Sequence, residues 1–262
     1  MPDEYADLAA TYDLTPPYVD RTDVQFYLDY ARQSRGPVLE LGCGTGRVCI
    51  PIAAEGIDVV GLDLSPAMLA ICLRKLDAQP DRTRRRVRLL LADMADFSLR
   101  RRFGLIIVPF RAFQHLLETE QQLACLRCVR RHLRPDGRFI LDVFDPNYRR
   151  LTGPFPSEQG TDFDVTFGDG TRLIRRSRIL GHEKSRQLQH VEFEFEMHQP
   201  DGSAHTSTAV FYMRCIFRPE AEHLLARAGL CVEHLFGDYR RTPYPPGNDL
   251  IFVCRRAEKR CR

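Results

Sequence analysis

Hydrophobic and polar positions along the chain fall into two regimes. Up to about residue 150, short uninterrupted apolar runs alternate with stretches whose apolar residues recur at helical spacing. VLEL, starting at Val38, leads into a helical pattern through RVCIPIAAEG. DVVGLDLS, from Asp58 to Ser65, is a second strand, and PAMLAICLRKLDA is a helix that opens with Ser65 as N-cap and Pro66 at its first position. VRLLLAD, FGLIIVPF and RFILDVFD supply three more strands, and ETEQQLACLRCVRRHLRPDG is a helix stopped by Pro135 and Gly137. Strands this continuously apolar, separated by helices, predict a parallel sheet covered on both faces, an α/β fold.

From about Leu151 the period changes to two. HVEFEFEMH sets Val191, Phe193, Phe195 and Met197 on one face and His190, Glu192, Glu194, Glu196 and His198 on the other. With DVTFGDGTRLIRRSRIL before it and HTSTAVFYMRCIF after it, this predicts a small antiparallel insert of three or four strands, its acidic face paired with Arg172, Arg176 or Arg178. PEAEHLLARAGL then returns to helical spacing, and CVEHLFGDY and DLIFVCRR form a closing hairpin. The predicted organisation is an N-terminal lid over residues 1–30, a main domain over 31–150 and 217–258, and the insert over 151–216.

Composition narrows the class. The chain has 262 residues, 44% of them hydrophobic, enough for a substantial core. No run approaches the roughly 18 apolar residues of a membrane span, and the acidic start MPDEYADLAATYDL does not resemble a secretory signal, so a cytoplasmic protein with no membrane partner is expected. The nine cysteines are scattered, mostly in apolar runs, and point to reduced thiols. Cys125 and Cys128 lack the second ligand pair a zinc site needs, so no metal is expected. A net charge of +3 does not argue for a polyanionic partner. The arginine clusters RTRRRVR and LRRRF flank short apolar segments without interleaved aromatics and fit a charged rim better than a nucleic-acid stripe.

The chemistry concentrates in PVLELGCGTGRV. Gly42, Gly44 and Gly46 follow the first strand, where they let backbone turn tightly and approach a ligand closely. A dinucleotide fingerprint would need glycine where Arg47 stands, and a phosphate loop would need a Gly-Lys-Ser/Thr sequence that is missing. Asp63, at the end of the second strand, has the spacing that places a carboxylate beside a ribose.

ELGCGTG, GLDLSPAML and LADMADF, in this order, resemble the first three motifs of the class I S-adenosylmethionine-dependent methyltransferases, of the small-molecule type with an antiparallel β insert. The resemblance implies a Rossmann-like, mostly parallel seven-stranded sheet with its last strand antiparallel. It implies S-adenosylmethionine as cofactor, passing over Gly42, Cys43, Gly44 and Gly46. Glu40 would order that loop or meet the amino acid end, and Asp63 would hold the ribose. Leu64 and Met68 would flank the adenine, with Asp93 at its amino group and the Met94 backbone at a ring nitrogen. Pro109 and Phe110 would close the site at the fourth strand. Tyr12, in a segment similar to the family's lid, would reach the methionine end and help exclude water.

VPFRAFQHL at the end of the fourth strand departs from the Asn/Asp-Pro-Pro-aromatic motif of exocyclic-amine DNA methyltransferases and looks more like small-molecule members of the family. Its His115 is a candidate catalytic base, or a packing residue at a helix start. Tyr148, Arg149, Tyr212, Arg214, Tyr239 and Arg240 are candidates for the acceptor pocket. The expected activity is methyl transfer to a nitrogen or oxygen of a small molecule by direct displacement, with nucleic acid not expected as partner and a homodimer through the insert as one arrangement. An RNA or protein methyltransferase, and a cofactor-binding module without turnover, are the alternative readings.

Overall fold

The structure is a computed structural model and describes residues 9–15, 22–146, 160–245 and 249–257. Its elements, in chain order, are α1 (Ala9–Tyr12), α2 (Asp23–Gln33), β1 (Val38–Leu41), α3 (Cys49–Ala54), β2 (Val59–Asp63), α4 (Pro66–Asp77), α5 (Asp81–Arg84), β3 (Val87–Leu91), β4 (Phe103–Val108), α6 (Thr119–His132), β5 (Leu133–Phe144), β6 (Gly160–Thr166), β7 (Arg172–Glu183), β8 (Leu188–His198), β9 (Ala204–Arg214), α7 (Arg218–Arg227), β10 (Leu230–Phe236) and β11 (Asp249–Arg256).

Seven strands form one sheet in the order β10-β11-β5-β4-β1-β2-β3. Its central strands pair in parallel, and β11 runs antiparallel to both β5 and β10. Alternation within the strands builds two cores. Val38, Leu105, Ile107, Ile251 and Val253 face α2 and the inner sides of α3 and α4. Leu39, Leu41, Ile106, Val108 and Phe252 face α6 and α7. The sheet is therefore covered on both sides, as its continuously apolar strands require. Among the described residues, no helix is long and apolar enough to cross a membrane.

Two boundaries differ from the sequence pattern. Helix α6 ends at His132 rather than running to Gly137, because Arg134 precedes Pro135 and is disfavoured in the helical region. β5 begins at once, with an irregularity between the pairs Phe103–Leu133 and Leu105–Arg138. Within the span expected as a lid, α2 begins at Asp23, and its Phe26, Tyr27, Leu28 and Ala31 are buried in the core that α2 faces. The aromatic residues at this end of the chain are thus partly core residues.

The period-two region forms a separate four-stranded antiparallel sheet, β6-β7-β8-β9. On its polar face Arg176 pairs with Glu194 and Glu196, and Arg178 with Glu192. Arg172 takes Asp164 of β6 instead. The apolar face, with Val191, Phe195 and Phe211, packs against Leu14 of the N-terminal segment.

Candidate active site

Everything singled out in the glycine motif lies at the carboxyl edge of the parallel strands. After β1 the chain turns through Gly42, Gly44 and Gly46 at φ of +71°, +52° and +85°. The Gly42 and Cys43 N–H groups both donate to the Leu62 carbonyl, which fastens the turn to β2. A Cβ on Gly46 would meet Cys72 Sγ at 2.5 Å, and one on Gly42 would meet Ala112 at 2.6 Å. A Cβ on Gly44 would meet nothing within 4 Å. The loop is packed at its two ends and open at its middle, where only backbone borders the free space. The Cys43 side chain is buried and lies against Gly61, so its backbone alone is at the loop surface.

Asp63 braces this loop as well as bordering it. One of its oxygens accepts from Gly44 N–H at 2.7 Å and the other from Ser65 N–H at 2.9 Å. A carboxylate has about four lone-pair sites, so acceptor capacity remains for a ligand's hydroxyls. Ser65 in turn accepts from Met68 N–H at 3.1 Å, the N-cap its sequence position calls for. Beside Asp63, Leu64 is 57% exposed, an apolar surface where an aromatic ring can lie, whereas Met68 is buried on the inner side of α4. Asp93 accepts from Ala95 N–H, and the Met94 side chain reaches within 3.6 Å of where a Cβ on Gly42 would stand.

Glu40, on β1 below the loop, is fully buried, and its Oε2 has no hydrogen-bond partner among the described residues. Burial raises its pKa to about 8, the approach of Asp63 and Asp23 adds to this, and Arg47 opposes it. A buried carboxylate oxygen without a partner, an open backbone cradle, a braced carboxylate and an exposed apolar side chain together fit a ligand with a cationic amino group, a ribose and a flat ring.

The N-terminal segment is fastened over the loop by pairings the sequence pattern did not reveal. Arg47 donates to both oxygens of Asp23 at 2.7 Å, and its guanidinium stands 5.1 Å from the Phe110 ring. Thr45 and Lys75 both donate to Asp13, at 2.6 and 2.9 Å. Tyr12 meets Phe110 edge-on, ring centroids 6.4 Å apart. The position that excludes a dinucleotide fingerprint is therefore the one that ties the start of α2 to the loop.

At the end of β4, Phe110 and Arg111 are both left-handed, with φ of +56° and +66°. Such non-glycine residues cost about 1–3 kcal/mol each and persist only where their surroundings hold them. Phe110 N–H donates to Asp142, which is fully buried at the end of β5 and also accepts from the Tyr239 hydroxyl. Arg111 pairs with Asp249 and lies over Phe144. Pro109 is buried behind this turn.

The next turn, a 3₁₀ segment over Ala112–His115, carries His115. Burial lowers the His115 pKa to about 4, so its imidazole is neutral at physiological pH. Its ring lies 5.5 Å from Phe211 of the insert. Gln114, fully buried, donates to the Arg214 carbonyl at 2.7 Å and accepts from Phe144 N–H at 2.9 Å, which ties the insert and β5 to the same turn.

Among the described residues, the acceptor-pocket candidates are not brought together. Tyr239 lies between Asp142 and the rings of Phe26 and Tyr27. Tyr212 stacks on His190 at 4.4 Å, on the polar face of the insert, opposite the face that carries Phe211 toward His115. Arg214 is 8% exposed and is taken up by Glu220, Gln187 and the Leu117 carbonyl, so it anchors the insert. Arg240 is exposed, its N–H capped by Asp238. Tyr148 and Arg149 lie outside the described residues. Cys125 and Cys128 are buried on α6, and among the described residues no group of three or more His, Cys, Asp or Glu side chains is placed to hold a metal.

Residues 38–137 match the family model described as a methyltransferase domain. The chain is 34% identical over 210 residues to the cypemycin N-terminal methyltransferase of a Streptomyces species, covering 79% of this chain and 77% of that one. The chain belongs to the S-adenosylmethionine-dependent methyltransferases. This methyltransferase is also 29% identical over 241 residues to the dTDP-3-amino-3,4,6-trideoxy-alpha-D-glucopyranose N,N-dimethyltransferase of Streptomyces venezuelae, covering 84% of this chain and 93% of that one. In fold it is similar to the CcbJ methyltransferase of Streptomyces caelestis, with a TM-score of 0.80, 24% identity and 98% of each chain covered. S-adenosylmethionine is its methyl donor.

Proposed function

We propose that this methyltransferase methylates an amino nitrogen of a small-molecule acceptor, an amino sugar being the first class to test. The observation that carries the reading is the enclosure of the His115 turn: Phe211 of the insert covers it, and Tyr12 of the lid meets Phe110 beside it. An acceptor admitted between lid and insert is small. Two relatives named for methylating an amino sugar and a peptide N-terminus support a nitrogen nucleophile.

When bound, S-adenosylmethionine supplies an electrophilic methyl group on a sulfonium sulfur. In this reading the Gly42–Gly46 backbone lies along it, Glu40 takes its amino group, and Asp63 its ribose hydroxyls. Leu64 and the Met94 backbone border the adenine with Asp93, while Pro109 and Phe110 close the floor and Tyr12 the roof. The neutral His115 imidazole receives the proton the acceptor amine loses, and the closed lid excludes water. Positioning supplies much of the rate, since direct displacement needs no acid at the departing sulfur.

The reading also holds the protein to be cytoplasmic, without a nucleic-acid partner, and dimeric through the insert, whose exposed Leu180 and Val210 support a subunit contact. Sedimentation velocity on the intact chain and on Val210→Glu tests the dimer. Incubation with S-adenosylmethionine and a panel of nucleotide-linked 3-amino sugars, hydroxylated sugars and short peptides tests the acceptor. Mass spectrometry should show one or two methyl groups added to the amino sugars. Methylation confined to the hydroxylated compounds would refute the nitrogen assignment.

A further inference from the structure

The amino-terminal edge of the main sheet, the edge remote from the glycine loop, carries a cleft of about 620 Å³. It is lined by five arginines, Arg102, Arg130, Arg138, Arg255 and Arg256, against two carboxylates, Asp136 and Glu233. Glu233 is shared by Arg138 and Arg255, at 2.9 and 3.6 Å. No ion pair is made by Arg102, Arg130 or Arg256 among the described residues. Burial of Arg256 pushes its pKa down, and the nearby charges of Arg130 and Arg102 add to this.

Two of the three guanidinium groups without an ion pair are held in place. Arg130 donates through Nε to the Gly229 carbonyl at 3.0 Å, and Arg256 through Nη1 to the Leu133 carbonyl at 3.4 Å. A guanidinium has five N–H donors, so each tether leaves others for the oxygens of a phosphate. Like charges kept close by backbone tethers raise the free energy of the empty cleft, and a bound anion relieves that repulsion.

We propose that this cleft is a second ligand site, taking a small phosphate-bearing molecule through its phosphate oxygens. Its volume lies in the range of about 300–1,000 Å³ usual for small-molecule sites. None of its lining residues is aromatic, so it offers no platform on which bases of a nucleic-acid strand could stack. Recognition rests on the phosphate groups. The six residues of β4 separate this edge from the candidate active site by roughly 20 Å, so the ligand is not the methyl acceptor.

The test uses the full chain and inorganic pyrophosphate, titrated at physiological ionic strength of about 0.15 M. Saturable binding is expected, weakened by about tenfold or more in Arg102→Glu and in Arg256→Gln. Affinity for S-adenosylhomocysteine should stay unchanged in both variants. Arg102 is exposed and makes no hydrogen bond among the described residues, so its variant keeps the fold. Absence of saturable pyrophosphate binding, or equal binding by wild type and both variants, overturns the proposal. A single-stranded RNA oligonucleotide that binds while pyrophosphate neither binds nor competes also overturns it, in favour of a polymer surface.

Discussion

Arg47 and Asp23 are joined by two N–H···O bonds of 2.7 Å, with the Asp23 side chain fully buried and that of Arg47 15% exposed. Burial alone would lower the Arg47 pKa, but the bonds and charge of Asp23 raise it on balance. The pair fixes the start of α2 against the glycine loop. Asp23→Asn leaves a buried guanidinium without its counter-charge, a loss of about 3–5 kcal/mol that should lower Tm by about 10 °C. Arg47→Lys cannot form both bonds, so it should raise KM for S-adenosylmethionine more than it lowers kcat. Thermal denaturation and initial-rate kinetics check both, and wild-type Tm and KM in the two variants would remove the latch.

The Asp63 carboxylate, proposed to hold the ribose, also accepts from Gly44 and Ser65. Asp63→Ala should weaken S-adenosylhomocysteine binding by about tenfold or more, from the lost charged hydrogen bonds and from a looser loop. Asp63→Asn keeps a single carbonyl acceptor and should fall between. Calorimetric titration gives both values. Binding by Asp63→Ala within about twofold of wild type would place the ribose elsewhere.

The strand–helix alternation was legible because each central strand is buried on both faces and each cap is local: Ser65 and Met68 are three residues apart. The glycines and Asp63 were legible for the same reason, a turn and a strand end defined within one βαβ unit. The fastening of the N-terminal segment was not, because it joins residues far apart in sequence, Asp13 to Lys75 and Asp23 to Arg47. Arg47 carried only the meaning of a missing glycine. Asp142 looked like one apolar-strand residue among others until the fold set it under Phe110. The place of Tyr212 on the polar face of the insert was not legible, because period two gives the two faces of a strand without saying which faces the core domain. Its neighbour Phe211 takes that side.

Glu40 makes stability depend on pH in a defined direction. Its folded-state pKa of about 8 lies above the unfolded value of 4.5. The folded form therefore holds its proton more tightly, and this contribution is fully present below pH 4.5 and lost as pH rises through 8. Each unit of difference is worth about 1.4 kcal/mol. Glu40→Gln should flatten the loss of stability over that window in urea titrations without cofactor. Saturating S-adenosylhomocysteine, whose amino group stabilises the ionised form, should flatten it in the wild type too. An equally steep profile in Glu40→Gln would show that another group governs it.

His115 has the opposite sign. Burial takes its pKa from 6.5 to about 4, so the neutral imidazole persists well below the usual histidine titration. Stability from keeping it neutral is present above pH 6.5 and disappears as pH falls through about 4. If it receives the acceptor's proton, the log kcat/KM profile should show no inflection near 6.5 from this group. His115→Gln, which keeps polarity and approximate size against Phe211, should lower kcat by about 10²–10⁴ with little change in KM for S-adenosylmethionine. A purely packing role predicts the reverse: Gln and Phe at this position both turn over at wild-type rates while Tm falls. Single-turnover rates measured beside Tm separate the two, because proton transfer acts on the chemical step and packing against the insert acts on the fold.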